Sequence, residues 1–257
     1  MSTEHFSLAG RTAIVSGCNA GLGRAMALAL AEAGADIVGL NRSPADELAE
    51  RVKQLGRHFL DLRVDLGSEL REAGAAAALI AQAAGLTGRV DILVNNAGII
   101  RRQAAIDFSE EDWDAVMNLN LRAVFMLSQA AAARFVEQGG GGKIINIASM
   151  LSFQGGVRVP SYTASKSGVL GLTRALANEW APLGINVNAI APGYMDTSNT
   201  AALRADEERN NAILARIPAG HWGVPEDLGG PAVFLASRAS DYMHGHTLAV
   251  DGGWLAR

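Results

Sequence analysis

Short runs of valine, isoleucine and leucine alternate along this chain with longer, alanine-rich stretches whose apolar residues return every three or four positions. The short runs read as strands and the long ones as helices. "TAIVS" predicts a strand over residues 12–16, and "GLGRAMALALAEAG" a helix closed by Gly34. Further strands are predicted over residues 36–41, 58–65, 90–96, 143–149, 185–192 and 246–253. Between them, "PADELAERVKQLG" predicts a helix with Pro44 in its first turn. An alanine-rich helix follows the third strand. One long helix is predicted over residues 109–138, with Ser109 as its cap and acids in its first turn. Residues 161–180 and "PEDLGGPAVFLAS" predict two more.

Strands that alternate with helices predict a parallel sheet, because each parallel crossover needs a long connection. The strands are almost wholly apolar, as strands covered on both faces are. The expected fold is α/β: one doubly wound domain over residues 1–257, with a seven-stranded, mostly parallel sheet and helices on both faces. Ligands of such sheets bind beyond the carboxyl ends of the strands, so the strand-to-helix loops are where chemistry is expected.

Composition narrows the function classes. A chain of 257 residues, 49% apolar, can bury one sizeable core. The net charge of −4 argues against nucleic acid or an anionic membrane as partner. Cys18 is the single cysteine, so no intrachain disulfide forms, which fits a cytoplasmic protein. "MSTEHFSLAG" is a poor secretion signal, and no long uncharged apolar stretch reads as a membrane span. "QGGGGK" reads as a connection. No metal site is expected.

The first strand-to-helix loop is "SGCNAGLG". Gly17, Gly21 and Gly23 permit positive φ and let backbone amides approach a pyrophosphate at a helix N-terminus. A glycine-rich turn alone would be weak, but its place between an apolar strand and a helix predicts a dinucleotide site on a Rossmann-type domain.

Four more motifs follow in order. They are "NNAG" (residues 95–98), Asn120 in "NLNLRAVF", Ser149 thirteen residues before Tyr162 with Lys166 four further on, and "PGYMDT" (residues 192–197). With the glycine loop, which has Ser16 where Thr-Gly is usual, they span nearly the whole chain. The chain so resembles the short-chain dehydrogenase/reductase family. The resemblance implies a catalytic set of Asn120, Ser149, Tyr162 and Lys166. Hydride transfer between a nicotinamide and a carbinol or carbonyl carbon leaves one proton for the protein to handle. Tyr162 and Lys166 at i and i+4 share a helical face, so an ammonium there can favour the phenolate. Ser149 can hold the substrate oxygen near the phenol. Lysine at 166 is notable in a chain whose other lysines are Lys53 and Lys143; a compact ammonium is not replaceable by a guanidinium here. By the resemblance, Lys166 also holds the nicotinamide ribose, and Asn120 anchors a water leading to solvent.

The resemblance further implies NAD or NADP contacts from Gly17, Asn19, Gly21, Leu22, Gly23, Asn41, Arg42, Asp65, Leu66, Asn95, Ala97, Gly98, Tyr162, Lys166, Pro192, Gly193 and Thr197. Thr197 is expected at the nicotinamide carboxamide and Asp65 on the adenine side. Asn41 stands where an NAD-type acid would sit, and Asp36 is roughly 16 Å away at the strand's start. Arg42 therefore favours tolerance of NADP, unless it lies over the adenine ring or points to solvent. The preference stays open. Cys18 reads as a small loop residue.

Arg101, Arg102 and Arg158 flank the chemistry in sequence, and arginine grips carboxylates two-pronged. They are candidate substrate contacts with Ser149; the alternative is subunit salt bridges or solvent. Stretches such as "NNAGIIRR" and "AVDGGWLAR" resemble the family branch that interconverts keto and hydroxy forms of deoxy-hexonic acids in pectin breakdown. His221 departs from that branch, where arginine is expected. Weaker alternatives are branches acting on gluconate or on an acyl-carrier protein, and a non-catalytic NAD(P) sensor. The family implies a homotetramer. Residues about 194–222 are expected to form the substrate loop.

Overall fold

The structure, a computed structural model, describes residues 3–257; the first two residues of the N-terminal stretch read above lie outside them. Seven strands form one sheet: β1 (Thr12–Ser16), β2 (Asp36–Asn41), β3 (Phe59–Arg63), β4 (Ile92–Asn95), β5 (Gly142–Ile147), β6 (Ile185–Pro192) and β7 (Thr247–Val250). Their order is β3-β2-β1-β4-β5-β6-β7. Every pairing is parallel, where the pattern predicts mostly parallel. The winding reverses between β1 and β4, which opens a crevice at their carboxyl ends.

Ten α-helices surround the sheet among the described residues: α1 (Gly21–Glu32), α2 (Asp46–Gln54), α3 (Leu66–Glu69), α4 (Ala75–Ala84), α5 (Glu110–Met117), α6 (Ala123–Gln138), α7 (Pro160–Trp180), α8 (Ala201–Ala205), α9 (Glu207–Leu214) and α10 (Gly229–Ala236). Successive strand residues point to opposite faces. Ala13, Val15 and Ile37 join one core with Met26 and Leu30 of α1 and Leu235 of α10. Ile14 and Val38 join the other with Ile80 of α4, Phe135 of α6 and Leu176 of α7. The continuous apolar runs are thus explained by burial on both sides.

Three elements depart from the sequence pattern. The long helix at residues 109–138 is broken by a π-turn, Asn118–Arg122, between α5 and α6. Helix α2 begins two residues after Pro44, with the Ala45 N–H at its cap donating to the Asp61 carboxylate at 3.2 Å. The segment at residues 194–222 carries α8 and α9, too short for an apolar period to reveal them. Ser109 does cap α5, accepting from Asp112 N–H at 3.2 Å.

Candidate active site

The crevice beside β1 is built from backbone first. Gly17 and Gly21 have φ of 65° and 53°, which glycine adopts at little cost. A Cβ on Gly23 would lie 2.1 Å from the Gly17 carbonyl oxygen, so α1 can approach the loop only with glycine there. Ala20 caps α1 without any side-chain hydrogen bond, and no acid occupies its first turn. Its first N–H groups are free to meet an anion, and the positive end of the helix favours one.

The loop is fastened from three directions. The Ser16 hydroxyl accepts from Asn96 N–H and Ala97 N–H, each at 3.0 Å. Asn96 Nδ2 donates to the carbonyls of Ser16 and Gly17 at 2.9 and 3.0 Å. Asn41 Oδ1 accepts from Cys18 N–H at 2.8 Å and Asn19 N–H at 3.2 Å, while its Nδ2 donates to Asp61 at 2.7 Å. Burial pushes the Cys18 thiol up to about 11, leaving it an inert loop residue.

Gly17, Asn19, Gly21, Leu22, Gly23, Arg42, Asp65, Leu66, Ala97, Gly98, Tyr162, Lys166 and Thr197 line one continuous cleft. Four residues expected at the cofactor do not line it. Asn41 is buried and its amide holds the loop, since strand parity turns it under the glycines. Asn95 is buried in a polar chain, donating to Ser128 and to Asn146 at 3.0 and 2.9 Å. Pro192 ends β6 inside the sheet, and Gly193 packs so tightly on Asp251 that a Cβ would lie 2.5 Å from its Cα. Asn96, Ile99, Ile147, Ser198 and Asn199 line the cleft without having been singled out. In "NNAG" only the identity of the second asparagine could have signalled the first of these.

Helix α7 starts with Pro160 and sets Tyr162 and Lys166 on one face, with the Lys166 ammonium 5.7 Å from the phenol ring centroid. Lys166 is 4% exposed and donates to the Ile147 carbonyl at 2.6 Å. Burial, with no carboxylate beside it, pulls its pKa down to about 8. Burial pushes the Tyr162 phenol above its ordinary range, and a hydrogen bond with Ser149 and the Arg102 guanidinium pull it back. Ser149 and Arg102 thus act on the phenol from other elements, while Lys166 lies beside its ring.

Asn120, fully buried on the π-turn, pairs face to face with the Ile99 backbone: Oδ1 accepts from the N–H and Nδ2 donates to the carbonyl, both at 2.9 Å. It thereby ties α5 and α6 to the loop after β4. Arg101 is engaged with Asp112 at 2.9 Å. Arg102 donates to the Asn199 carbonyl at 3.1 Å, bridging the β4 loop to residues 197–200. Arg158 is exposed and, among the described residues, is the non-glycine residue with positive φ, 63°. His221 is exposed beside the Trp222 carbonyl.

Residues 17–255 match a family model described as "Enoyl-(Acyl carrier protein) reductase". A 2-dehydro-3-deoxy-D-gluconate 5-dehydrogenase of Escherichia coli K12 is 64% identical over 257 residues, covering all of both chains. A solved Agrobacterium tumefaciens structure with bound NADP is 56% identical, with a TM-score of 0.92 over 98% of this chain and 99% of that one. The structure of a gluconate 5-dehydrogenase of Burkholderia cenocepacia, in complex with NADP and tartrate, is 39% identical with a TM-score of 0.93 over all of both chains. The uncapped helix end, the glycine contacts and a buried ammonium with a single acceptor fit a nicotinamide dinucleotide in the cleft.

Proposed function

The chain belongs to the short-chain dehydrogenase/reductase family, and from that premise we propose that it is an NAD(P)-dependent oxidoreductase interconverting a hydroxyl and a keto group on a deoxy-hexonic acid. The reading matches the name of its 64% identical relative, 2-dehydro-3-deoxy-D-gluconate 5-dehydrogenase. The observation that carries it is the meeting of Tyr162 and Lys166 with the glycine loop in one cleft.

The nicotinamide, when bound, supplies or accepts the hydride. The chain's residues do the rest. Tyr162 gives its phenolic proton to the carbonyl oxygen in reduction and takes it back in oxidation. Ser149 orients that oxygen and steadies the phenolate. Lys166, whose ammonium has one carbonyl acceptor, has donors left for the nicotinamide ribose. Asn120 fixes the floor behind them and leads the proton path toward solvent. Gly17, Asn19, Gly21, Leu22 and Gly23 take the pyrophosphate, Asp65 and Leu66 the adenine side, and Thr197 the carboxamide.

Arg102 receives the substrate carboxylate: its charge reaches the phenol, while Arg101 is held by Asp112. Arg158 is exposed, and Arg42, which lines the cleft, would meet the ribose, leaving both NAD and NADP in play. Residues 194–222 serve as the substrate segment of a single domain. A homotetramer in the cytoplasm, acting in pectin-derived sugar-acid breakdown, completes the proposal. Among the described residues no helix is long and apolar enough to cross a membrane, and no cluster suits a metal ion. The gluconate reading has weaker support, from solved structures 51% and 39% identical against the 64% identical relative of the first reading. An acyl-carrier-protein reductase would want a basic surface, which a charge of −4 does not favour. Assaying NADH- and NADPH-dependent reduction of 2,5-diketo-3-deoxygluconate tests the proposal; no turnover with either cofactor would defeat it.

A further inference from the structure

Between β6 and α10 the chain leaves the sheet and returns through a zipped base. Met195 and Gly223 form an isolated parallel bridge. Asp196 N–H donates to the Gly223 carbonyl at 2.7 Å, and Gly223 N–H to the Tyr194 carbonyl at 3.0 Å. Beyond that base, Thr197, Ser198 and Asn199 line the cleft together with Tyr162 and Lys166. These three residues belong to no strand, and side chains hold them. Thr200 Oγ1 donates to the Met195 carbonyl at 2.6 Å and accepts from Thr197 N–H at 3.2 Å. Arg204, on α8, pairs with Asp196 through Nη2 at 2.5 Å and donates from the same nitrogen to the Thr197 carbonyl at 3.3 Å. One guanidinium thus grips the chain at Asp196 and at Thr197. Neither Asp196 nor Arg204 lines the cleft.

We propose that Asp196 and Arg204 are positioning residues for the nicotinamide half of the cofactor, acting by holding Thr197 in place. This rests on the reading of Thr197 as the carboxamide contact. The pair contributes little to the stability of the whole fold: its side chains are 49% and 31% exposed, and ion pairs so exposed add little to global stability. What it restrains is local, a turn whose position decides whether one hydrogen bond to the cofactor forms.

The test compares Arg204→Met and Asp196→Asn with the parent by titration calorimetry. The ligands are NAD⁺ or NADP⁺, whichever binds tighter, and the matching ADP-ribose or 2′-phospho-ADP-ribose, which lacks nicotinamide. The expected result is about a tenfold loss of affinity for the whole dinucleotide, the worth of one misplaced hydrogen bond. The fragment should bind unchanged, and the melting temperature should stay near the parent's. Arg204→Lys, which keeps a cationic donor for the Asp196 carboxylate and the Thr197 carbonyl, should retain more dinucleotide affinity than Arg204→Met. Equal weakening of both ligands in Arg204→Met, or of neither, overturns the proposal. Thr197→Ala separates the two layers. It should show the same selective loss; if it does not, the reading of Thr197 fails and the proposal falls with it. Both outcomes are read from cofactor binding alone, independent of the sugar acid.

Discussion

Tyr162 sits where burial and hydrogen bonding pull in opposite directions. Burial raises its pKa, and Ser149 and Arg102 lower it. Tyr162→Phe removes the only proton the reaction can use there while keeping the ring, so turnover should vanish with dinucleotide affinity within about threefold, about 0.65 kcal/mol; titration and steady-state assays check both. Arg102→Gln withdraws an acidifying charge from the phenol. The rising limb of the pH profile for oxidation should therefore move to higher pH, and an unmoved limb would detach Arg102 from Tyr162. Lys166 predicts a stability effect. Its folded pKa is about 8, well below an ordinary lysine's. Between about pH 8 and 10 the unfolded chain binds that proton more tightly, so the burial cost eases and stability rises with pH. Denaturant melts of the cofactor-free protein should show this rise, and Lys166→Met should flatten it. Above that window Tyr162 works the other way, since a phenol raised in the folded state loses its contribution as pH climbs. The pairing of Tyr162 with Lys166 was legible because a helix repeats every three to four residues. The influence of Arg102 on the phenol was not, because it arises through tertiary folding alone.

Elements set how tightly those residues are held. The α1 N-terminus meets the glycine loop at a distance only glycine allows, so Gly23→Ala must displace one or the other. It should cost about 1–3 kcal/mol in urea melts, the usual range for overpacking, and weaken dinucleotide binding more than tenfold, about 1.4 kcal/mol. The glycine loop could be read ahead because its residues and its place between strand and helix carry the chemistry together. Asn41 could not: as the last residue of β2 it is close in sequence to where a ribose contact is sought, yet strand parity turns it beneath the loop. The π-turn under Asn120 was equally hidden. A single wide turn leaves no residue signature of its own, and the Asn120 side chain meets its partner, the Ile99 backbone, twenty-one residues away. Helices α8 and α9 escaped because five and eight residues are too few to show a face.

For the whole molecule, apolar strands between amphipathic helices specify a sheet covered on both sides, and right-handed crossovers restrict the strand order. The reversal between β1 and β4 puts the glycine loop, the "NNAG" loop and α7 around one cleft. That is why motifs scattered over nearly the whole sequence converge. What sequence spacing leaves unread is which of several arginines meets the substrate, since that depends on partners such as Asp112 and Asn199 supplied by other elements. Charge recognition at the reacting end of that cleft decides which ketones the protein reduces. The measurement is kcat/KM for reduction of 2,5-diketo-3-deoxygluconate against a neutral ketone of the same length, in the parent and in Arg102→Gln. The parent should prefer the acid by at least about a hundredfold, about 2.7 kcal/mol, and Arg102→Gln should lose most of that preference through KM. A parent that prefers the neutral ketone, or a preference untouched by Arg102→Gln, would contradict it.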